Sequence, residues 1–529
     1  MKMKENPVIN SDFPDPDIIR VGGTYYMAST TMHYMPGCDI LRSFDLLNWE
    51  FVSHAYKILC ENREHGLEDE EQIYGKGMWA PSLRYHKGMY YITFTSNDLH
   101  KTFLLKASDP TGPWEKGEIE GFFYDNGLFF DEDDRVYIVH GQGIIRITEL
   151  EKDLSRARSG GLDRVLLEDE RGIPLGYEGS HLYKKDGKYY LFNCHFNGKG
   201  NGRKTQDCHV ADSLHGSFTG GCMIDADDGY RNLGIAQGGI IDTPRGEWYA
   251  FMFQDRGALG RAPYLIPIHF ENDFPVIGRA GENGRIPQCL SVESTRPDYQ
   301  YQPLNGSDDF IYEKHPDGKV ELKPFWQFSH NPHPDYWSVT ARKGAFRLIS
   351  DKISPNLVLS HNTLTQRCYG FSSEAWVTVD GRAMKDGDYA GISTYMGCYG
   401  AIALTKNEGK YELVMLGKTA VDETIFGQFD YEVPGVEYER LSISGPVVRI
   451  KAATDFQSNT DEGIYAYDVN SISENAGEEE RDPDWRMLGI RQQLYFKMDF
   501  FTGCRFGLFY FSTKETGGQV DFMKFRYHQ

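Results

Sequence analysis

The chain has 529 residues, with 56 Lys and Arg against 77 Asp and Glu, a formal net charge of −21. That balance excludes most nucleic-acid binding, which needs a surplus of cations to displace counterions from phosphates, and it disfavours an anionic membrane surface. Aromatic residues make up 14% of the chain and charged residues only 25%, so the acidity is not that of a disordered tail; the length predicts two to four domains with sizeable cores.

The N-terminal segment has no apolar stretch long enough for a signal-peptide core, and no run approaches the 18 apolar residues of a membrane span. The nine cysteines are scattered and form no C-x-x-C pair, which predicts reduced thiols in a cytoplasmic protein and no cysteine-ligated metal site. From the start, short runs of Tyr, Phe, Val and Ile alternate with Gly, Asp and Asn, the chemistry of strands and turns. One unit recurs: a Gly or Asp turn, a doublet ending in Tyr, then apolar residues. Its tyrosines are Tyr26, Tyr91, Tyr137, Tyr190 and Tyr249, spaced by 65, 46, 53 and 59 residues. All-β repeats of this length predict the blades of a five-bladed β-propeller over residues 1–303. Segments 43–49, 107–114 and 211–218 resemble one another and fall where an outer strand would turn.

The pattern stops near Ile277, and the polar stretch from Val292 to Ser307 reads as a linker. Beyond it, strands at 375–379, 411–415, 447–451, 504–511 and 520–526 predict a second all-β domain over residues 304–529, a β-sandwich. The expected fold class is therefore all-β, a propeller followed by a sandwich.

In a propeller, equivalent positions on the innermost strands converge on an axial pit. Twelve residues before Tyr91, Tyr137, Tyr190 and Tyr249 stand Trp79, Asp125, Glu178 and Gln237, and eleven before Tyr26 stands Asp15. Three carboxyls in one small pit repel, so at least one is expected to be protonated near neutral pH. A tryptophan beside them suits the C–H face of a sugar ring. Hydrolysis of a glycosidic bond needs one protonated acid at the leaving oxygen and one carboxylate to handle water, about 6.5–9.5 Å apart when water attacks directly. Asp12 and Asp17 are rival bases, with Asp17 on the same strand face as Asp15.

Residues 13–18 (Phe-Pro-Asp-Pro-Asp-Ile), 78–81 (Met-Trp-Ala-Pro), 124–127 (Tyr-Asp-Asn-Gly) and 177–180 (Tyr-Glu-Gly-Ser) resemble the signature segments of glycoside hydrolase family 43. Residues 322–326 and 362–367 resemble the accessory sandwich of its β-xylosidase and α-L-arabinofuranosidase branch, so the likeness spans nearly the whole chain. It implies an inverting exo-glycosidase that removes terminal β-D-xylosyl or α-L-arabinofuranosyl residues from xylo- or arabinoxylo-oligosaccharides. Asp15 would be the general base, Glu178 the general acid and Asp125 the residue that tunes and orients that acid. Arg261 matches an arginine of the sugar subsite, and Phe506 matches an aromatic that the sandwich lends to the pocket. Trp79 and Gln237 would also touch sugar. The chemistry would need no cofactor. An axial calcium is compatible with the likeness, but Ala236 stands where relatives often carry His, and Gln254-Asp-Arg256 occupies the loop of another such His. Arg256 would then supply the positive charge. The expected partner is a small oligosaccharide; nucleic acid and membrane are not expected, and a homo-oligomer is compatible.

The rival activities are an endo-arabinanase and a non-catalytic sugar-binding module. Fructan-cleaving enzymes share the plan but carry N-D-P-N and an E-C pair, absent here. Gly198 to Gly202 reads as a turn rather than a phosphate loop, and Asp225 to Gly229 lacks the glutamate of a calcium loop, since Ala236 stands at its twelfth position. His330-Asn-Pro-His333 reads as a polar loop, Asn305-Gly-Ser307 as a linker turn, and His33, His140 and His181 fall near the motif segments.

Overall fold

A computed structural model describes residues 3–198, 202–281, 284–419, 430–457, 460–469 and 482–529. Each repeated tyrosine lies on the second strand of a four-stranded antiparallel sheet: Thr24–Ser29, Met89–Ser96, Val136–His140, Lys188–Phe196 and Trp248–Asp255. The first strands are Asp17–Val21, Met78–His86, Gly127–Phe130, Glu178–Lys185 and Ile235–Asp242. Each of these touches the next, and the fifth touches the first, so five blades close into a ring.

The repeat has a packing reason. The residue after each key tyrosine (Met27, Ile92, Ile138, Leu191, Ala250) is wholly buried. Each belongs to a different hydrophobic cluster, and each cluster fills the gap to the preceding blade. One strand position therefore supplies every junction, because side chains alternate across a strand and one face must always meet a neighbour. Among the described residues no strand is exchanged between the first and last blades. The ring is held shut by Phe13 N–H donating to Arg261 O at 3.0 Å and by the Asn6 amide, which bonds both Leu265 O (2.9 Å) and Leu265 N (3.0 Å).

The stretch after Ile277 does not act as a free spacer. Leu290 pairs with Lys4, Thr295 N–H donates to Phe44 O, and Gln302 N–H donates to Glu50 Oε2, so the chain is clamped along the first blade. At Asn305 and Asp308 it passes to the second domain, bonding Tyr527 and Phe525.

That domain is two packed sheets. One runs Val436–Ile443, Lys410–Gly417, Gly400–Asn407, Asp388–Tyr395, Arg505–Ser512, Leu364–Arg367, Gln327–Ser329 and then Tyr34–Met35, a strand lent by the first blade. The other is built around Gln519–His528, Ser372–Asp380 and Val447–Asp455. The shared strand pairs Met35 with Phe328 and Tyr34 with Ser329. Arg505 lies 3.6 Å over the Tyr34 ring, and Arg367 pairs with Asp39 at 2.6 Å and covers Phe13. Breaking one such buried pair typically costs about 3–5 kcal/mol.

Candidate active site

The inner strands begin with a kink. Asp15 (φ 50°), Ala80 (34°), Asp125 (49°), Gly179 (66°) and Gln237 (56°) all adopt positive φ. In blades one, three and five the kinked residue is the one picked out by the register; in blades two and four it is the residue just after Trp79 and Glu178. One extra residue bulges from the inner strand at Trp79–Ser82, Glu178–His181 and Ala236–Gly238. Bulges re-aim side chains beside active sites, and left-handed conformations of non-glycine residues cost of order 1–3 kcal/mol each. At Gly179 the conformation and the space both demand glycine: a Cβ would meet Gln237 Cγ at 2.8 Å.

Asp15 sits between two prolines at the pit. Its carboxylate accepts Thr30 Oγ1–H at 2.7 Å and both oxygens accept from Arg261 Nη1, at 3.1 and 3.2 Å. Thr30 Oγ1 in turn accepts Ala80 N–H at 2.9 Å, tying Asp15 to the kink of the next blade. Asp125 Oδ2 accepts Gly179 N–H at 2.5 Å, so it holds the backbone next to Glu178. Burial, then the nearby Glu178 and Asp15, push the Asp125 carboxyl well above the usual range. Glu178 Oε2 accepts Gln142 Nε2–H at 2.9 Å. Glu178 keeps some contact with solvent, as a group facing a concave pit does, but protein surrounds it, and this burial raises its pKa to about 7. Lys204 and Gln142 pull the other way without cancelling the effect. At pH 7 Glu178 is then far more often protonated than a free glutamate, for which the fraction is roughly one in 500. The Tyr124 hydroxyl is pushed up by burial and then by Glu178, Asp125 and Asp15, and stays a neutral donor.

The apolar side of the pit corrects one expectation. Phe506 is fully buried in its strand and packs edge-on against Tyr527. Phe501 takes the place expected of it: its ring lies 5.3 Å from Trp79 and 4.4 Å from the Arg261 guanidinium, and its carbonyl accepts from Arg261 Nη2. Phe501 also belongs to the sandwich, five residues before Phe506. Strand alternation turns Phe506 inward, whereas Phe501 stands in a loop with φ 52°. Trp79 is half-buried, and its buried Nε1–H has no hydrogen-bond partner among the described residues. Gln237 is buried against Gly179, with its backbone N–H held by Gln206 Oε1 at 2.7 Å. Thr30, Gln142, Lys204 and Phe501 carried no motif. Lys204 pairs with Asp255 at 3.2 Å, and nothing in its sequence surroundings marks it.

The rival bases are occupied elsewhere. Asp12 accepts Arg261 N–H and Gly503 N–H, both at 2.8 Å, and so joins the fifth blade to the sandwich loop. Asp17 lies below the pit, fully buried, with Arg84 at 2.5 Å and His181 at 3.3 Å. Burial opposes its ionisation, but Arg84 and His181 outweigh that and lower its pKa to about 2. A calcium ion wants six to eight oxygen ligands. Here the central level offers one carboxylate already matched to a guanidinium, beside an imidazole, and these residues do not fit the ion. Arg256 is not the substitute cation: it donates to Gln254 and Tyr264 and lies 4.3 Å over the Tyr230 ring.

His33 is buried among aromatic rings, and His140 bonds Thr148 while burial lowers its pKa to about 4. Asp225 and Asp227 accept from Arg203, which makes that segment a turn. Residues 199–201 of the Gly198–Gly202 turn lie outside the described residues.

Residues 4–275 match the model of glycosyl hydrolases family 43, and residues 318–528 match the β-xylosidase C-terminal concanavalin A-like domain. A β-xylosidase of Formosa agariphila is 26% identical over 99% of this chain and 90% of its own. A non-reducing end α-L-arabinofuranosidase of Bacteroides ovatus is 25% identical over 74% of this chain and 73% of its own. A solved structure described as a bifunctional GH43-CE protein of Bacteroides eggerthii is 36% identical with a TM-score of 0.86; it matches all of this chain, which spans 64% of that longer one. Among the described residues no helix is long and apolar enough to cross a membrane. With a paired carboxylate, a raised glutamic acid and an aromatic wall in one axial pit, this chain belongs to glycoside hydrolase family 43.

Proposed function

We propose that the protein removes single pentosyl units, β-D-xylosyl or α-L-arabinofuranosyl, from the non-reducing ends of xylo- or arabinoxylo-oligosaccharides, with inversion. The observation that carries this reading is Phe501: a sandwich residue closes the pit on the Trp79 side. A pit walled in this way suits a chain end rather than the middle of a polymer. The names of the relatives, one a β-xylosidase and one an α-L-arabinofuranosidase, support the pentoside class.

In the mechanism we infer, the sugar packs on Trp79 and Phe501 while Arg261 orients Asp15. Protonated Glu178 gives its proton to the leaving oxygen as the glycosidic bond lengthens. Asp15 takes a proton from a water that attacks the opposite face of the anomeric carbon. Asp125 holds Gly179 N–H and so fixes where Glu178 points. Each of the acid and the base is worth about 10²–10⁴-fold.

Release of nitrophenol from the β-xyloside and the α-L-arabinofuranoside, with the product anomer followed by NMR, tests the reading. Retention of configuration would overturn the mechanism. Internal cleavage of linear arabinan at rates above those on short oligomers would favour the endo-arabinanase.

A further inference from the structure

The His330-Asn-Pro-His333 loop divides. His330 turns toward the propeller, where its Nε2 accepts Ile73 N–H at 3.1 Å. His333 instead stacks on His361, with ring centroids 3.8 Å apart and planes inclined by 12°. Each of these two rings reaches across the domain interface: Nε2 of His333 meets Gly66 O at 2.8 Å, and Nε2 of His361 meets Leu67 O at 2.9 Å. A carbonyl oxygen only accepts, so both Nε2 atoms carry hydrogen. In the neutral rings Nδ1 is then a bare lone pair. Both Nδ1 atoms face the same oxygen, Asp351 Oδ2, at 3.8 Å from His333 and 2.6 Å from His361. Two lone pairs and a carboxylate repel unless a cation lies among them. A proton on His361 answers one contact and leaves His333 without a partner for its Nδ1; a metal ion answers all three.

We propose that His333, Asp351 and His361 form a zinc-class metal site that clamps the sandwich to the 66–67 turn of the propeller. The three donor atoms lie within 4.8 Å of one another. A tetrahedral ion with bonds of about 2.0–2.1 Å sets its donors roughly 3.3 Å apart, and the separations of 2.6 and 3.8 Å straddle that value. Binding requires the stacked rings to hinge apart about their Nε2 anchors. Two imidazoles and one carboxylate suit Zn²⁺ rather than the all-oxygen preference of Ca²⁺ or Mg²⁺, and a water completes the fourth position. The carbonyl held by each Nε2–H is the second-shell partner that metal-bound histidines commonly have. Lys352 Nζ donates to Leu67 O and Asp69 O, at 2.6 and 2.7 Å, and steadies the same turn. The sequence hides the site because its three donors come from separate loops.

The test uses the full chain, stripped with a chelator, in a Cys222→Ser/Cys289→Ser background that removes the two exposed thiols. Titration with Co²⁺ is expected to give one equivalent of visible d–d absorption without a thiolate charge-transfer band, displaced by Zn²⁺. Zn²⁺ is expected to raise Tm. Asp351→Asn and His361→Gln are expected to weaken binding by at least about 10–100-fold, the loss that even second-shell changes cause. No d–d absorption, a thiolate band, or unchanged affinity in Asp351→Asn would overturn the site and leave a proton bridge only. The Co²⁺ spectrum of the parent protein decides the matter even where a variant does not fold.

Discussion

Two levels of the propeller axis carry buried carboxyls and treat them in opposite ways. At the mouth, burial pushes both Asp125 and Glu178 toward their neutral forms; Glu178 and Asp15 add to this at Asp125, whereas Lys204 opposes it at Glu178 without cancelling it. One strand turn below, Asp17 is just as enclosed, yet Arg84 and His181 hold it ionised down to about pH 2. The deeper level spends its cations on architecture: Asp17 Oδ2 also accepts Leu83 N–H and stitches the first blade to the second. The mouth leaves acids outnumbering cations, which is the condition for moving protons at neutral pH.

Exchanging the roles of the two levels should have its largest effect at Asp15. Asp15→Asn is expected to lower kcat/KM by about 10³–10⁴-fold on every substrate, and, because it removes the charge opposite buried Arg261, to lower Tm as well. A rate near wild type would move the base elsewhere. Arg84→Met should act on stability instead: stranding Asp17 costs about 3–5 kcal/mol, read as a lower Tm, with kcat retained well below the transition. Glu178→Gln is expected to cost about 10²–10³-fold on oligosaccharides and much less on nitrophenyl glycosides, whose leaving group needs no proton.

Linkage separates the same two acids. Glu178 has a folded pKa of about 7, above its ordinary 4.5, so it binds extra protons when folded and erodes stability as pH rises from about 4.5 to 7. Glu178→Gln should therefore be more stable than wild type at pH 8 and equal to it near pH 4 by denaturant midpoint. Asp17 has the opposite sign: its contribution is complete above the unfolded value near 4 and fades as pH falls toward 2. The smallest effect is at Gln142. Removing its donor in Gln142→Ala should move the alkaline limb of the kcat/KM profile upward by less than about one unit, since this hydrogen bond favours the charged form of Glu178.

The comparison also explains what the sequence could yield. The tyrosine repeat marked all five second strands because one position after it must fill every blade junction. Counting back from it found Asp15, Trp79, Asp125, Glu178 and Gln237, since each blade repeats the same hairpin. It could not find the kinks, where an added residue shifts the register by one. Phe506 is turned into the core because strand alternation begins at Arg505, one residue before it. Thr30, Gln142 and Lys204 reach the acids from neighbouring strands or loops, and such pairings are a property of tertiary packing. Arg256 had the charge expected of an axial cation, but its guanidinium is spent on Gln254, Tyr264 and the Tyr230 ring.

The strand Tyr34–Met35 has a consequence for anyone recombining these domains. It belongs by chain to the propeller and by hydrogen bonding to the sandwich sheet, directly beside Gln327–Ser329. A cut at the obvious linker would leave one half with an unzipped two-residue ribbon and the other with a bare sheet edge, an invitation to misassembly. The same cut would carry Phe501 away from Trp79. The unit of inheritance for this activity is thus the pair of domains, and chimeras should exchange blades or whole chains rather than swap the sandwich alone.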